Sequence, residues 1–383
     1  MLESLVVYTS LILVMVVCGM LAARREPVYV PYSGNYLKNE KFLQPEVFFL
    51  IAAFTFVFGC RWGVGVDYFH YLFAYEYKAD GHFEFLFKKI SELLRFFKAP
   101  FPVFFSVWAF IQITLLYYAL KNYRFIFPFF AFFLICSPTF LSLANVIRQQ
   151  LAACIFLVSL QFIEKRQPVY FYLCVLLAFC FHRSSILLVV IYPLFRYKAD
   201  WFSNEAVQIF LYIIALYLGS HYQLVSTYIE APFRWFASNL GFSRYGYNIL
   251  NIDSLNNRAQ FGRKTGMGIY VSLFRTIPII LLSKDLKRYF NSRFFDMIYT
   301  GWFISVTGGL IFGKSIILYR PFVFFVDFQP LLWSFVVYYA LKKQKPVYYL
   351  YGILFILLHV VLFLNIVSYG EVNTSAYTFF WQN

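Results

Sequence analysis

Little of this 383-residue chain is charged. Asp, Glu, Lys and Arg make up 13% of it, about half the roughly 25% of a soluble globular protein, which excludes a string of soluble domains. Acid is scarcer than base, with 18 Asp+Glu against 33 Lys+Arg, and no cluster of carboxylates offers the oxygen ligands of a metal site. The six cysteines, Cys18, Cys60, Cys136, Cys154, Cys174 and Cys180, form no CxxC and no His/Cys zinc spacing. They lie mostly within apolar runs and read as buried hydrophobes. Internal repeats and low-complexity tails are also absent.

Apolar surface takes the place of charge. The chain is 61% hydrophobic and 23% aromatic, with mean hydropathy +0.65, more than a soluble core can hide and what a bilayer accepts. Apolar segments fall at 4–23, 45–60, 101–120, 125–144, 149–164, 168–182, 184–195, 206–224, 266–283, 294–312, 317–341 and 347–366. At about 20 residues per span they predict an all-α, polytopic membrane helix bundle of about 12 transmembrane helices, a single integral membrane domain over 1–383. Segments 168–182 and 184–195 are short for spans. Segment 4–23 lacks a basic n-region and a small-residue cleavage site, so a span is expected there and not a signal peptide.

The net charge of +15 first suggests nucleic acid, but its placement makes it a topology signal. About half of the Lys and Arg sit in short loops: Arg24, Arg25, Lys38 and Lys41; Lys121 and Arg124; Lys165 and Arg166; Arg196 and Lys198; Lys284, Lys287, Arg288 and Arg293; Lys342, Lys343 and Lys345. Short basic loops mark the cytoplasmic side. Both termini and the two long loops, 61–100 and 225–265, then face outward.

The polar residues on that outer side carry the functional signal. Loop 61–100 opens with Arg61-Trp-Gly-Val-Gly-Val-Asp67-Tyr68, followed by His70 and Tyr71. Two readings stand: a structural Arg–Asp pair at an interfacial turn, or an anion-binding Arg beside a carboxylate able to act as base or to orient a sugar hydroxyl. In 83–97 the stripe Phe83, Phe87, Ile90, Leu94 and Phe97 predicts an amphipathic helix, lying in the lipid interface or packed on the bundle. Asn145, Arg148 and Gln149 share one helix face where the fourth span meets the fifth, either a phosphate or sugar clamp or a snorkelling arginine. Phe181-His182-Arg183-Ser184-Ser185 closes the sixth span, a histidine with an arginine and two hydroxyls beside it. Arg275 and Asp327 lie at matched depth and predict a buried ion pair, with Arg320 facing a cavity two turns further out. Loop 225–265 carries Arg234, Trp235, Arg244 and Tyr245 among Asn and Asp residues, the mix of aromatic platform and placed polar groups of a glycan-binding loop.

Taken in order, these pieces resemble the EpsG-like members of the Wzy polysaccharide polymerases. The resemblance rests on Arg61 to Tyr68 with Glu84 downstream, on Asn145, Arg148, Gln149, Leu151 and Ala152, on Ala178, His182 and Ser184, and on Arg320 before Phe322, Phe324 and Phe325. It spans roughly 45–335. It implies a GT-C-like, multi-pass enzyme of the bacterial inner membrane with its active site facing the periplasm, a metal-independent glycosyltransferase needing no cofactor. The substrates implied are undecaprenyl-diphosphate-linked glycans, joined into O-antigen or exopolysaccharide, and a chain-length-regulating membrane protein is a candidate partner besides the lipid bilayer. His182 and Asp67 are the candidate bases. Arg61, Arg148, Arg183 and Arg320 are the candidate diphosphate ligands. Tyr68, Glu84, Asn145, Gln149, Arg234, Trp235, Arg244 and Tyr245 are the candidate substrate contacts. A lipid-linked oligosaccharide flippase or transporter, an O-antigen ligase and a membrane acyltransferase are the competing readings; nucleic acid is set aside because an outward membrane loop has little access to it.

Overall fold

In hydrocarbon a backbone can satisfy its N–H and C=O groups only internally, so uncharged runs of Phe, Leu, Ile and Val fold as helices. The computed structural model describes residues 2–25, 41–81, 83–230, 232, 235, 267–343, 345–370, 374 and 376–382. Over its described residues, every apolar segment named above is largely helical. Along the chain run α1 (Leu2–Arg24), α2 (Pro45–Gly59), α3 (Tyr68–Glu76), α4 (Phe85–Phe96), α5 (Phe101–Ala119), α6 (Phe127–Ile135), α7 (Thr139–Asn145), α8 (Ile147–Glu164) and α9 (Pro168–Phe179). A 3₁₀ stretch, Arg183–Val190, leads into α10 (Ile191–Tyr197), α11 (Glu205–Ser220) and α12 (Tyr222–Val225). Beyond the second long loop come α13 (Met267–Leu281), α14 (Ser283–Phe290), α15 (Arg293–Phe312), α16 (Ile316–Val323), α17 (Phe328–Lys342) and α18 (Pro346–Tyr369).

Among the described residues, five helices are long and apolar enough to cross a membrane, or up to seven if each bent pair counts as one span. The expected twelve were counted from apolar runs, and several runs fold into shorter or broken pieces. Helices Pro45–Gly59, Pro168–Phe179 and Gly268–Leu281 fall below spanning length, and two pairs are bent, by 70° before Thr139 and by 89° before Tyr222. Pro138 sits at the first break, where its ring and missing N–H prevent a continuous helix. Segment 184–195 divides between 3₁₀ and α geometry.

Neighbouring helices pack in a winding order, α9 on α8, α8 on α5, α5 on α2, α2 on α1, α1 on α6, and α6 on α17. Helix α17 is the most enclosed of the long helices, while α1 and α18 keep about a quarter to a third of their length inside. Their outward Leu, Val and Ile side chains, Leu13, Leu357 and Val361 among them, are exposed, as a lipid-facing belt requires. At Gly19 a Cβ would come within 2.8 Å of the Pro128 backbone, so α1 and α6 touch main chain to main chain.

The two ends of the bundle differ in chemistry. At one end the short basic loops knit together: Arg124 donates to the Lys41 carbonyl at 2.8 Å, Lys287 pairs with Asp200 at 2.6 Å, and Arg293 donates to the Phe195 and Arg196 carbonyls. The other end gathers the N-terminal turn, the first long loop and the C-terminal stretch. There β1 (Arg61–Trp62) pairs antiparallel with β2 (Thr378–Phe379), Tyr377 donates its hydroxyl to the Val57 carbonyl at 2.7 Å, and its N–H donates to Ser4 Oγ at 3.0 Å. Lys41 and Arg124 thus lie at the opposite end of α1 and α2 from Ser4, Val57 and Tyr377.

Candidate functional site

The site grows from the first turn after α2. Gly63 and Gly65 have φ of +70° and +110°, backbone that L side chains rarely adopt. A Cβ at Gly65 would also lie 3.3 Å from the Ala144 carbonyl oxygen. That close approach lets Asn145 Oδ1 accept the Asp67 N–H at 2.8 Å, where α3 begins. Asp67 is half-buried, and burial raises its carboxyl above the ordinary carboxylate range against the opposing charges of His70 and Arg148.

After α3, Asp80 holds Arg95 at 2.7 Å and folds α4 back over the bundle. Of the predicted stripe, Phe83 and Phe87 are buried, Ile90 and Leu94 are half-buried and Phe97 is exposed: Phe87 stacks on Trp108 with ring centroids 4.3 Å apart, while Phe85 and Phe96 on the other side are exposed. The Leu86 N–H donates to the Cys180 carbonyl at 3.1 Å. This contact brings Glu84, at the start of α4, beside the end of α9.

Glu84 is the hub. One carboxylate oxygen pairs with the Arg148 guanidinium. The other lies 3.4 Å from His182 Nδ1, an ion-pair contact without aligned hydrogen-bond geometry, and 3.5 Å from the Arg183 backbone N–H. Arg148 also stacks over Phe83, 4.4 Å to the ring centroid, and interacts with the Tyr71 hydroxyl. Burial alone would raise the Glu84 carboxyl; the contact with His182 and the charges of Arg148 and His182 outweigh it and hold the group down at about 2. Glu84 is therefore an ionised orienting group. His182 Nε2 is buried with no hydrogen-bond partner, and so are the hydroxyls of Ser184 and Ser185. An imidazole held on one side by a carboxylate, with its other nitrogen unengaged, is arranged to take a proton.

The structure joins Asp67, Glu84, Asn145, Arg148 and His182 in one cluster, with Arg183 exposed at its edge. Gln149 extends it: its Nε2 donates to the Arg320 carbonyl at 2.9 Å, tying α8 to α16. Arg61 and Tyr68 are placed differently from expectation. Arg61 is 2% exposed, and its nitrogens donate to the Phe58, Val64 and Ala144 carbonyls. Its guanidinium lies 4.8 Å from the Phe105 ring centroid and 5.6 Å from that of Tyr68. Neither reading of the Arg61–Asp67 turn describes this: each guanidinium nitrogen already donates to main chain, and aromatic faces and burial shield the rest of the group from a diphosphate. Tyr68 is fully buried and stacks on Phe105 at 4.6 Å, beneath the site and not in it. Trp235 is exposed; Arg234, Arg244 and Tyr245 lie outside the described residues.

The expected Arg275–Asp327 ion pair is not formed. Gln150 donates to both Asp327 carboxylate oxygens at 2.6 and 2.7 Å. Arg275 stacks on Trp333, 4.2 Å to the ring centroid, and donates to Gln329 at 3.4 Å. Equal depth on two helices does not make two side chains face each other. Among the described residues, no three His, Cys, Asp or Glu side chains gather as a metal site. The contacts that sequence reasoning missed, Tyr71 and Phe83 on Arg148 and Gln150 on Asp327, lie next to named motif residues and carried no signal of their own.

Compared with known proteins, residues 47–379 match the sequence model described as the EpsG family. No curated protein and no solved structure matches the chain.

Proposed function

The chain belongs to the EpsG family of Wzy-type, exopolysaccharide-polymerase-like membrane proteins, and on that premise we propose that it joins undecaprenyl-diphosphate-linked repeat units into O-antigen or exopolysaccharide. The reaction takes place at the outer face of the bacterial inner membrane, on a GT-C-like multi-pass helix bundle. The observation that carries this reading is the Glu84 hub, which gathers an arginine and a histidine from distant stretches of chain, with Asn145 and Asp67 beside them.

In this reading the acceptor sugar hydroxyl forms a bond to the anomeric carbon of the growing glycan as the bond from that carbon to the lipid diphosphate breaks. The hydroxyl proton passes to His182 Nε2. Glu84 stabilises the imidazolium that results and fixes the ring's orientation. Negative charge builds on the departing diphosphate, and guanidinium groups are suited to it because they donate in a planar fork. Arg148, Arg183 and Arg320 are assigned that role; Arg61 is not. Arg148 stays bonded to Glu84 through one nitrogen, and its Nε is buried without a partner. No step is assigned to a metal or cofactor.

The test is glycan length in cells and in vitro. His182→Ala and Arg148→Ala should leave the protein in the membrane and give single-repeat glycan. Long chains in both variants would refute the assignment. Purified protein with lipid-linked repeat units separates the classes: elongation without ATP or a second protein supports a polymerase. Transfer to a core lipid would instead mark a ligase, and movement of substrate without chemistry a transporter.

A further inference from the structure

A cavity of about 310 Å³ lies between α13, α15, α16 and α17, away from the Glu84 hub. Arg275, Trp302, Ser305, Tyr319, Gln329 and Trp333 line it. It reaches from the helix ends at Gly268 and Gly313 inward to Arg275, about 10 Å of helix rise below Gly268. A guanidinium at that depth normally meets a carboxylate, because an unpaired charge in a low-dielectric interior is costly. Among the described residues no carboxylate pairs with Arg275. Instead it has a tryptophan face at 4.2 Å and one amide oxygen at 3.4 Å.

The neighbours are fixed in turn. Gln329 donates from Nε2 to Ser305 Oγ at 2.8 Å, which leaves its carbonyl oxygen aimed at Arg275. Behind Trp333, His359 packs with ring centroids 4.7 Å apart. Tyr212 and Ser272 share a hydrogen bond at 2.8 Å across α11 and α13, and Ser272 also lines the cavity. The pocket therefore holds a cation, hydroxyls and the indoles of Trp302 and Trp333, but no carboxylate among the described residues. From this geometry we propose that the cavity is a second binding site, for a phosphate or diphosphate group. Arg275 provides the charge, Ser305 and Ser272 accept or donate beside it, and Trp302 and Trp333 flank the part of the ligand next to the phosphate. The volume is at the small end of ligand pockets, which run from roughly 300 Å³ upward, and fits a headgroup rather than a folded glycan. Tyr319 lines this cavity while the adjacent Arg320 carbonyl binds Gln149, so α16 separates the two sites and contacts both. The site does not depend on the transfer chemistry proposed above.

The full chain in lipid nanodiscs is titrated with inorganic diphosphate and, separately, with farnesyl diphosphate. Binding is read by tryptophan fluorescence and by equilibrium dialysis of the ³²P-labelled ligand. Saturable quenching is expected, and Trp333→Phe should remove most of it while dialysis still detects binding. Arg275→Gln should weaken the dissociation constant by about tenfold or more. Gln329→Glu places a carboxylate where the amide oxygen now meets Arg275 and turns the site into an internal ion pair. It should abolish binding in this cavity while leaving the fold at least as stable. Equal affinity for both probes assigns a free phosphate site, and preference for the farnesyl compound a lipid headgroup site. Failure of the wild type to bind either probe, undiminished binding in Gln329→Glu, or full quenching in Trp333→Phe would overturn the proposal. The same titrations in Arg148→Ala remove the binding assigned to the hub, and none of the readouts involves glycan transfer, so the failure of one reading is distinguishable from that of the other.

Discussion

Glu84→Gln gives the sharpest test of the hub. The change keeps the shape of the side chain and removes its charge, so it separates the carboxylate's electrostatic role from its packing. The Glu84 carboxyl is held at about 2 against an ordinary 4.5. At about 1.4 kcal/mol per pK unit, that difference corresponds to roughly 3 kcal/mol of folded-state stabilisation at neutral pH. Solvent screening takes little from this figure, because the Glu84 side chain is 11% exposed and that of Arg148 is 21% exposed. Arg148 is left part-buried over Phe83, and His182 loses its orienting anion.

The pH dependence has a definite sign. A carboxyl whose folded value is depressed contributes stability that is fully present above the unfolded value and is lost as pH falls through the folded one. The melting temperature of purified Glu84→Gln in detergent should therefore lie below that of the wild type by a constant amount from about pH 6 upward. The gap should narrow between 4.5 and about 2. In a double-mutant cycle, Arg148→Gln added to Glu84→Gln should cost little more than the first change alone, since each partner is costly chiefly without the other. Glycan in cells carrying Glu84→Gln should stop at single repeats. Equal melting temperatures at pH 7, or additive losses in the cycle, would refute the view that Glu84 is an ionised hub.

Other consequences can be tested alongside. Arg61→Lys keeps a charge but cannot reach the Phe58, Val64 and Ala144 carbonyls together; it should lower membrane abundance and melting temperature, whereas a selective loss of diphosphate affinity in a fully stable protein would return Arg61 to the binding site. Gly65→Ala forces a side chain onto φ +110° and toward the Ala144 oxygen, and should weaken the Asn145–Asp67 contact and shorten the glycan. Asp67→Asn retains the backbone N–H given to Asn145, so long glycan is expected; single repeats in this variant would move the base from His182 to Asp67. Gln150→Leu strips the buried Asp327 carboxylate of its partner and should destabilise the protein by about 1–3 kcal/mol, read as a lower melting temperature, with Asp327→Asn in the same background restoring part of it.

What the sequence revealed and what it hid have separate physical causes. Apolar runs give helices because hydrocarbon leaves the backbone no other partner, so the helical character of the runs is legible in the sequence. Spanning length is a different property, set by breaks such as Pro138 that a composition window averages away. The hub was legible in pieces. Glu84, Arg148 and His182 stand out because charge is rare in this chain and a rare charge at a helix end needs a reason. Which of them touch depends on packing through uncharged residues, and the Leu86–Cys180 backbone contact that brings Glu84 to His182 has no sequence signature. Arg61 shows the limit of reading residue type alone. The same guanidinium fork that suits a diphosphate also suits main-chain carbonyls at a tight turn, and only the placement of Phe58, Val64 and Ala144 decides between them. Arg275 and Asp327 show the limit of reading depth alone. Their pairing was expected because each charge needed neutralising, but an amide can solvate a carboxylate, and an indole face can hold a guanidinium. With Asp327 satisfied by Gln150, the positive charge of Arg275 has no carboxylate counterpart among the described residues and faces a cavity of headgroup size. The failed expectation is itself what directs attention to a second anion site.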